Sequence, residues 1–177
     1  LAEYGGSAYA NDVQFGLGAH YCMVGDDVKA EMELKKVDYR TLSPAQKDQY
    51  DLRMGYMAFK RGDYPDAERY FSRIVPTSEY ADHATYYKSY MAYARGDYDV
   101  ARNGFTSLTQ SPLYRDLMPY YLMQIDFKSG NYRAVVNSGD ALMQNTTEEH
   151  ALQIRRMMAE SWFQLDDYTR AEEYMSR

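Results

Sequence analysis

The stretch Arg61-Gly62-Asp63-Tyr64-Pro65-Asp66-Ala67 decides the reading of this chain, because it recurs. Arg95-Gly96-Asp97-Tyr98-Asp99-Val100-Ala101 follows 34 residues on, and Ser129-Gly130-Asn131-Tyr132-Arg133-Ala134-Val135 another 34 after that. Weaker copies stand at Val24-Gly25-Asp26-Asp27-Val28-Lys29-Ala30 and Leu165-Asp166-Asp167-Tyr168-Thr169-Arg170-Ala171. A fixed period between about 20 and 50 residues is the signature of a stacked-repeat architecture.

The chemistry of the repeated segment is that of a helix–tight turn–helix corner. Gly62, Gly96 and Gly130 suit the position just past a helix end, where the backbone turns left-handed and a Cβ is costly. Asp63, Asp97 and Asn131 suit the cap of the next helix, where a short acceptor satisfies free N–H groups. Pro65 falls in the first turn of that helix, where a missing N–H does no harm. The tyrosine after the cap is expected to pack back across the corner. Small residues twelve apart, Gly18 and Ala30, Gly55 and Ala67, Ser89 and Ala101, and Ala159 and Ala171, mark expected close approaches of paired helices. Met123 and Val135 break this rule in the fourth unit, whose helices should sit further apart.

Working outward, the pattern predicts helices over about 11–24 and 27–37, 44–61 and 64–75, 80–95 and 98–109, 112–129 and 132–144, and 147–165, with a last one from about Tyr168. Ser43-Pro44-Ala45-Gln46 is a capping box with Pro at the first helical position. Pro119 lies inside the fourth unit's first helix, so that helix either is kinked or begins nearer Asp116. Residues 1–10 are Gly-rich and expected to be irregular. Period-two alternation is absent, so no strand is expected.

Composition bounds the rest. The 177 residues are 45% hydrophobic and 26% charged, with five prolines and a net charge of −6. Interspersed charge of that sign argues against nucleic acid, which needs a basic face. No run approaches the roughly 18 apolar residues of a membrane span. The single cysteine, Cys22, excludes an internal disulfide. The start at Leu1 without Met and the stop at Arg177 inside a helical pattern read as a piece of a longer protein. The 20 tyrosines, against one Trp and six Phe, suit half-wet surfaces.

These residues resemble the tetratricopeptide repeat, a 34-residue helix–turn–helix unit with small residues at its eighth and twentieth positions and an aromatic near its 24th. Gly55, Ala67 and Phe71 take those places in the second unit, and Phe105 matches Phe71 in the third. The resemblance implies an all-α fold: tandem helix–turn–helix repeats forming an α-solenoid with a right-handed superhelical twist. It implies one array over 1–177, with units at about 11–42, 43–78, 79–111, 112–146 and 147–177, the last incomplete. Corner spacings of 37, 34, 34 and 36 place small insertions in two loops. A weaker resemblance is to tetratricopeptide proteins of the bacterial cell envelope, of Bacteroides type, through the Ser-x-Tyr-Ala-Asp-like openings Ser78-Glu79-Tyr80-Ala81-Asp82 and Ser7-Ala8-Tyr9-Ala10-Asn11. It implies a periplasmic or outer-membrane-associated location, with the cytoplasm as the alternative.

In that family the first helices line a concave groove. Carried onto this chain, the groove positions include Tyr56, Phe59, Lys60, Tyr86, Tyr90, Tyr93, Tyr120, Gln124, Phe127, Lys128 and Arg156. The resemblance thus implies a protein–protein interaction scaffold. A partner's peptide or helix would lie against aromatic anchors, with Lys60, Lys128 and Arg156 steering its carboxylates. The competing reading is that these rings pack on one another. The family's carboxylate clamp needs Lys and Asn where this chain has Leu52 and Tyr56, then Tyr86 and Tyr90, so that function is not expected. An alternative of another class is a glycan-binding or outer-membrane uptake accessory module, with exposed tyrosines stacking on sugar rings.

No catalytic, cofactor or metal site is expected. His20, His83 and His150 fall in different units without ligand spacing. Phe15-Gly16-Leu17-Gly18 lacks the third glycine and preceding strand of a dinucleotide site. The acidic pairs Asp26-Asp27, Glu148-Glu149 and Asp166-Asp167 sit at helix starts, where the helix dipole accounts for them.

Overall fold

The computed structural model describes residues 8–176, and these are all-α: ten α-helices, with no strand among the described residues. In chain order they are α1 (Ala8–Met23), α2 (Asp27–Leu34), α3 (Pro44–Lys60), α4 (Tyr64–Phe71), α5 (Ala81–Arg95), α6 (Tyr98–Ser107), α7 (Met118–Lys128), α8 (Tyr132–Met143), α9 (Glu148–Gln164) and α10 (Tyr168–Ser176). Short 3-10 turns cover Tyr39–Thr41 and Leu108–Gln110.

The five corners share one backbone device. Gly25, Gly62, Gly96 and Gly130 all have φ between 74° and 84°, and Asp166 takes the same role at φ 61°. In each corner two amides fold back onto the preceding helix. At the second, Gly62 N–H donates to the Phe59 carbonyl and Asp63 N–H to that of Ala58. This double bond closes helix ends on a left-handed residue. The next helix is capped at once: Asp26 accepts from Lys29 N–H, Asp63 from Asp66 N–H, and Thr147 caps α9 by accepting from His150 N–H. Ser43 and Gln46 form the full capping box at α3. Asp97 and Asn131 stand at their cap positions without that side-chain bond; the Asn131 amide instead donates to Asp126.

Most helix limits follow the sequence pattern, with three differences. Residues 8–10 are helical rather than irregular; the expectation for residues 1–7 lies outside the described residues. α4 stops at Phe71 and the chain descends in turns to Pro76. In the fourth unit Ser111–Leu117 is a run of turns, and α7 begins at Met118 with Pro119 in its first turn. That resolves the two readings of Pro119 in favour of a late start, since its missing N–H is harmless there.

The chain divides into two compact units, Leu1–Tyr87 and Lys88–Arg177. In the first, α1 packs on α2, α2 on α3, and α3 on α4. Its core joins Phe15, Ala30, Leu34, Val37, Leu42, Tyr50, Met54, Met57 and Tyr70. The 3-10 turn is fixed to this core by a polar network. Tyr39 OH donates to the wholly buried Asp51 carboxylate (2.6 Å), whose other oxygen accepts from Arg73 at 3.5 Å. In the second unit α6 packs on α7, α7 on α8, α8 on α9 and α9 on α10. Tyr120, Met123, Val135, Ile154, Met158, Ala159 and Tyr174 form its core cluster, and Tyr174 OH donates to Asp140 at 2.6 Å.

The small residues do allow close approach, but against partners other than those expected. A Cβ on Gly55 would lie 2.7 Å from the ring of Phe71 rather than meeting Ala67. One on Gly18 would strike Leu34. In the second unit Ser89 is met by Gly104, and Gly139 makes room for the Met158 thioether. The space left by Gly18, Gly55 and Gly139 is thus filled by a large side chain of the neighbouring helix, and that left by Gly104 by the small Ser89.

Candidate functional site

The predicted groove residues separate into rings that hold the fold and groups left on the surface. Phe59, Tyr93 and Phe127 each meet the tyrosine five residues on, across the corner: Phe59 with Tyr64 at 5.7 Å, Tyr93 with Tyr98 at 6.0 Å, Phe127 with Tyr132 at 6.0 Å. Phe163 and Tyr168 repeat the pair at 5.3 Å. These rings cover the turn, as the tyrosine after each cap was expected to do.

A second set of contacts was not foreseen. Tyr87 stacks on the buried Phe71 (5.1 Å, 10° between planes), and Tyr121 stacks on the buried Phe105 (4.8 Å, 16°). In both cases the tyrosine lies sixteen residues after the phenylalanine, and the two tyrosines lie 34 apart. The doublets Tyr86-Tyr87 and Tyr120-Tyr121 carried this signal in the sequence. Burial pushes the Tyr87 phenol up to about 12. Tyr86, Tyr90 and Tyr93 touch these rings edge-on or tilted, Tyr86 against Tyr87 at 5.3 Å, Tyr90 and Tyr93 against Tyr121 at 6.1 and 6.3 Å. All three are half-buried.

Tyr120 is a core residue, 4% exposed, stacked on His150 at 4.0 Å and donating to Gln153. It presents no face to a groove. Tyr56 is the most open of the predicted tyrosines, at 40%. Lys60 forms an ion pair with Asp27, and its ammonium lies 5.6 Å from the Tyr56 ring. Neighbouring Arg61 pairs with Glu31 of the same helix α2 at 2.7 Å. The corner of α3 is thereby tied to α2, and its cation is already neutralised.

Beside a concavity of about 450 Å³ walled by Glu148, Glu149, Ala151, Leu152 and Arg155, the second unit has two that include predicted groove residues. One, of about 200 Å³, is walled by Tyr93, Gln124, Phe127, Lys128, Gln153 and Met157. The other, of about 550 Å³, is walled by Phe127, Lys128, Tyr132, Arg156, Met157 and Glu160. They share Phe127, Lys128 and Met157, so Tyr93, Gln124, Phe127, Lys128 and Arg156 of the predicted set line two adjoining concavities. Lys128 and Arg156 are exposed and have no ion-pair partner among the described residues.

The first unit has its own cavity, of about 230 Å³ and mainly apolar, lined by Cys22, Asp27, Leu52, Arg53, Tyr56, Met57, His83 and Tyr87. Burial pushes the Cys22 thiol up, against the opposing pull of Arg53. Arg53, a residue the sequence reading passed over, has its Nη1 buried without a hydrogen-bond partner. Its guanidinium rests 5.9 Å from the Phe15 ring. Among the described residues no group of three or more His, Cys, Asp or Glu side chains comes together as a metal site. No helix of the described residues is long and apolar enough to cross a membrane.

No family model matches the sequence, and no curated protein matches it. Solved structures do match in fold. MamA aligns over 94% of this chain and 88% of its own, with a TM-score of 0.72 at 13% identity. A MamA mutant aligns over 95% of each chain at TM-score 0.73 and 14% identity. PilF of Pseudomonas aeruginosa aligns over 94% of this chain and 73% of its own at TM-score 0.64 and 15% identity.

Proposed function

We propose, from the all-α, tetratricopeptide-like helical-repeat fold that the chain shares with MamA and PilF, that it is a non-enzymatic protein-interaction scaffold, binding an extended or helical peptide of a partner along surfaces formed by the first helices of its units. Stacked helix pairs present extended binding faces. The observation that carries the reading is the depression of about 550 Å³ in the second unit. Aromatic and thioether groups (Phe127, Tyr132, Met157) line it together with the unpaired cations Lys128 and Arg156, and its one carboxylate, Glu160, accepts from Gln164. Apolar anchors with flanking charge are the ordinary composition of a peptide site, the anchors giving affinity and the charges steering and register.

The partner it favours is acidic with at least one aromatic or aliphatic anchor. A glycan would need flat, open ring pairs; the ring pairs here are mostly packed at the corners or against Phe71 and Phe105, which favours the peptide. The cell-envelope location rests on the Ser-x-Tyr-Ala-Asp-like openings and the tyrosine content.

Selection of phage-displayed random peptides on the immobilised chain tests this reading. Enriched peptides should pair acidic residues with apolar anchors, and the Lys128→Glu/Arg156→Glu double variant should lose them while melting as the wild type does. No enrichment, or enrichment that the double variant retains, overturns the reading.

A further inference from the structure

The cavity of the first unit is separate from the depression just described, and its dimensions and charge are specific. At about 230 Å³ it is smaller than the roughly 300–1,000 Å³ that hold drug-sized ligands or cofactors. It has room for one side chain. Its walls are largely apolar, from Leu52, Tyr56, Met57 and Tyr87. One cation, Arg53, lines it with a buried Nη1 that lacks any hydrogen-bond partner. The one carboxylate in the wall, Asp27, is engaged by Lys60. A buried N–H of a charged group without an acceptor is unfavourable, and an incoming carboxylate relieves it with a charge-assisted bond.

We propose that this cavity is a side-chain pocket for a peptide partner: one medium-sized aliphatic side chain enters between Leu52, Tyr56, Met57 and Tyr87, and the carboxylate of an adjacent residue bonds Arg53. The proposal rests on the interaction-scaffold reading but uses none of the second unit's residues. It gives the first unit a short recognition rule, an aliphatic residue beside an acidic one. The aliphatic choice follows from the walls, where Leu52, Met57 and two tyrosine rings offer apolar contact to a single side chain. The acidic choice follows from Arg53, which has no counter-charge of its own.

The test uses the whole chain and four capped hexapeptides in a Gly/Ser frame, carrying Leu-Glu, Leu-Gln, Leu-Lys or Ala-Glu at the centre. Affinity is measured by calorimetry and by the ¹³C-methyl signal of Met57. Leu-Glu should bind at least tenfold more tightly than the other three and shift Met57. Arg53→Met, which keeps the aliphatic stem, should reduce Leu-Glu to the level of Leu-Gln; Lys128→Glu/Arg156→Glu should leave it unchanged. Equal affinity of Leu-Glu and Leu-Gln for the wild type, or no binding at millimolar peptide, overturns the pocket without recourse to any variant. Leu-Glu binding that ignores Arg53→Met but falls with the double variant overturns the pocket and leaves the second-unit reading intact. Leu-Glu binding that needs Arg53, alongside phage peptides indifferent to the double variant, does the reverse.

Discussion

Gly55 and Gly16 are both interior helical glycines, and they should respond oppositely to alanine. Replacing Gly by Ala inside a helix ordinarily stabilises it by about 1 kcal/mol, because glycine loses more backbone freedom on folding. At Gly16, in α1, a new Cβ meets nothing within 4 Å, so that gain should appear whole. At Gly55, in α3, the Cβ would lie 2.7, 2.8 and 3.0 Å from three ring carbons of Phe71. The preferred carbon–carbon separation is about 3.5–4.0 Å, so the ring must retreat by close to an ångström. It has nowhere to go: Phe71 is fully buried, and its ring is stacked against Tyr87, which in turn touches Phe59 at 5.0 Å. Overpacking of this kind costs about 1–3 kcal/mol. Gly55→Ala should therefore fall about 1–3 kcal/mol below Gly16→Ala, and Gly55→Leu lower still. Urea and thermal unfolding of the two alanine variants, side by side, measure the difference; a chain of this length shifts its melting midpoint by about 2–4 °C per kcal/mol. Hydrogen exchange at α3 and α4 locates the loss, since repeat arrays need not melt as one unit. Phe71→Leu should be milder in the Gly55→Ala background than in the wild type. Equal stabilisation by both alanines would refute the packing argument.

Two further outcomes follow from side chains outside the proposed sites. Burial raises the Asp51 carboxyl above the usual aspartate range, more than its bonds to Tyr39 and Arg73 lower it. A folded-state pKa above the unfolded one gives stability that is present below about pH 4 and lost as pH rises through the folded value. The stability of the wild type minus that of Asp51→Asn should thus decline as pH rises above about 4; parallel curves would refute it. Tyr121→Ala removes a half-buried ring stacked on Phe105 and should cost about 2–3 kcal/mol, against about 1 kcal/mol or less for the more open Tyr56→Ala. Urea titrations that rank the two the other way would show that the Tyr121 stack is not a packing element.

The corners were readable from residue chemistry because each is set within a few residues. A residue that takes positive φ, glycine in four corners and Asp166 in the fifth, is followed by an Asp or Asn at the cap and, in all but the first corner, by a tyrosine at the first helical position. What lay further apart was harder. The stacks Phe71–Tyr87 and Phe105–Tyr121 join a second helix to the first helix of the following unit, a contact set by how successive pairs are rotated, which periodicity within one helix does not give. The same gap explains Arg53. Its Nη1 is left without a partner where the guanidinium lies 5.9 Å from the Phe15 ring of α1 and Asp27 is engaged by Lys60. Tyr120 was placed in the groove by analogy of position, and His150 and Gln153 of α9 take it into the core instead.

The tyrosine excess then has a division of labour. In four of the five corners a tyrosine closes the turn, Tyr64, Tyr98, Tyr132 and Tyr168, and in two units a tyrosine, Tyr87 or Tyr121, bears on the preceding unit's buried phenylalanine. Phenylalanine could supply the same area, but these rings are half-buried in most cases, and a phenol leaves its hydroxyl in water while its body is packed. The surface such a chain offers a partner is therefore aromatic but not loosely so. Its rings are held by neighbours and lose little conformational freedom on binding, which lowers the entropic cost of association. Under the proposed reading, selectivity comes from cations that no carboxylate engages, among them Lys128 and Arg156 in one unit and Arg53 in the other. All three are cations in a chain of net charge −6, so on that reading an acidic peptide is held at these residues against the repulsion of the molecule as a whole.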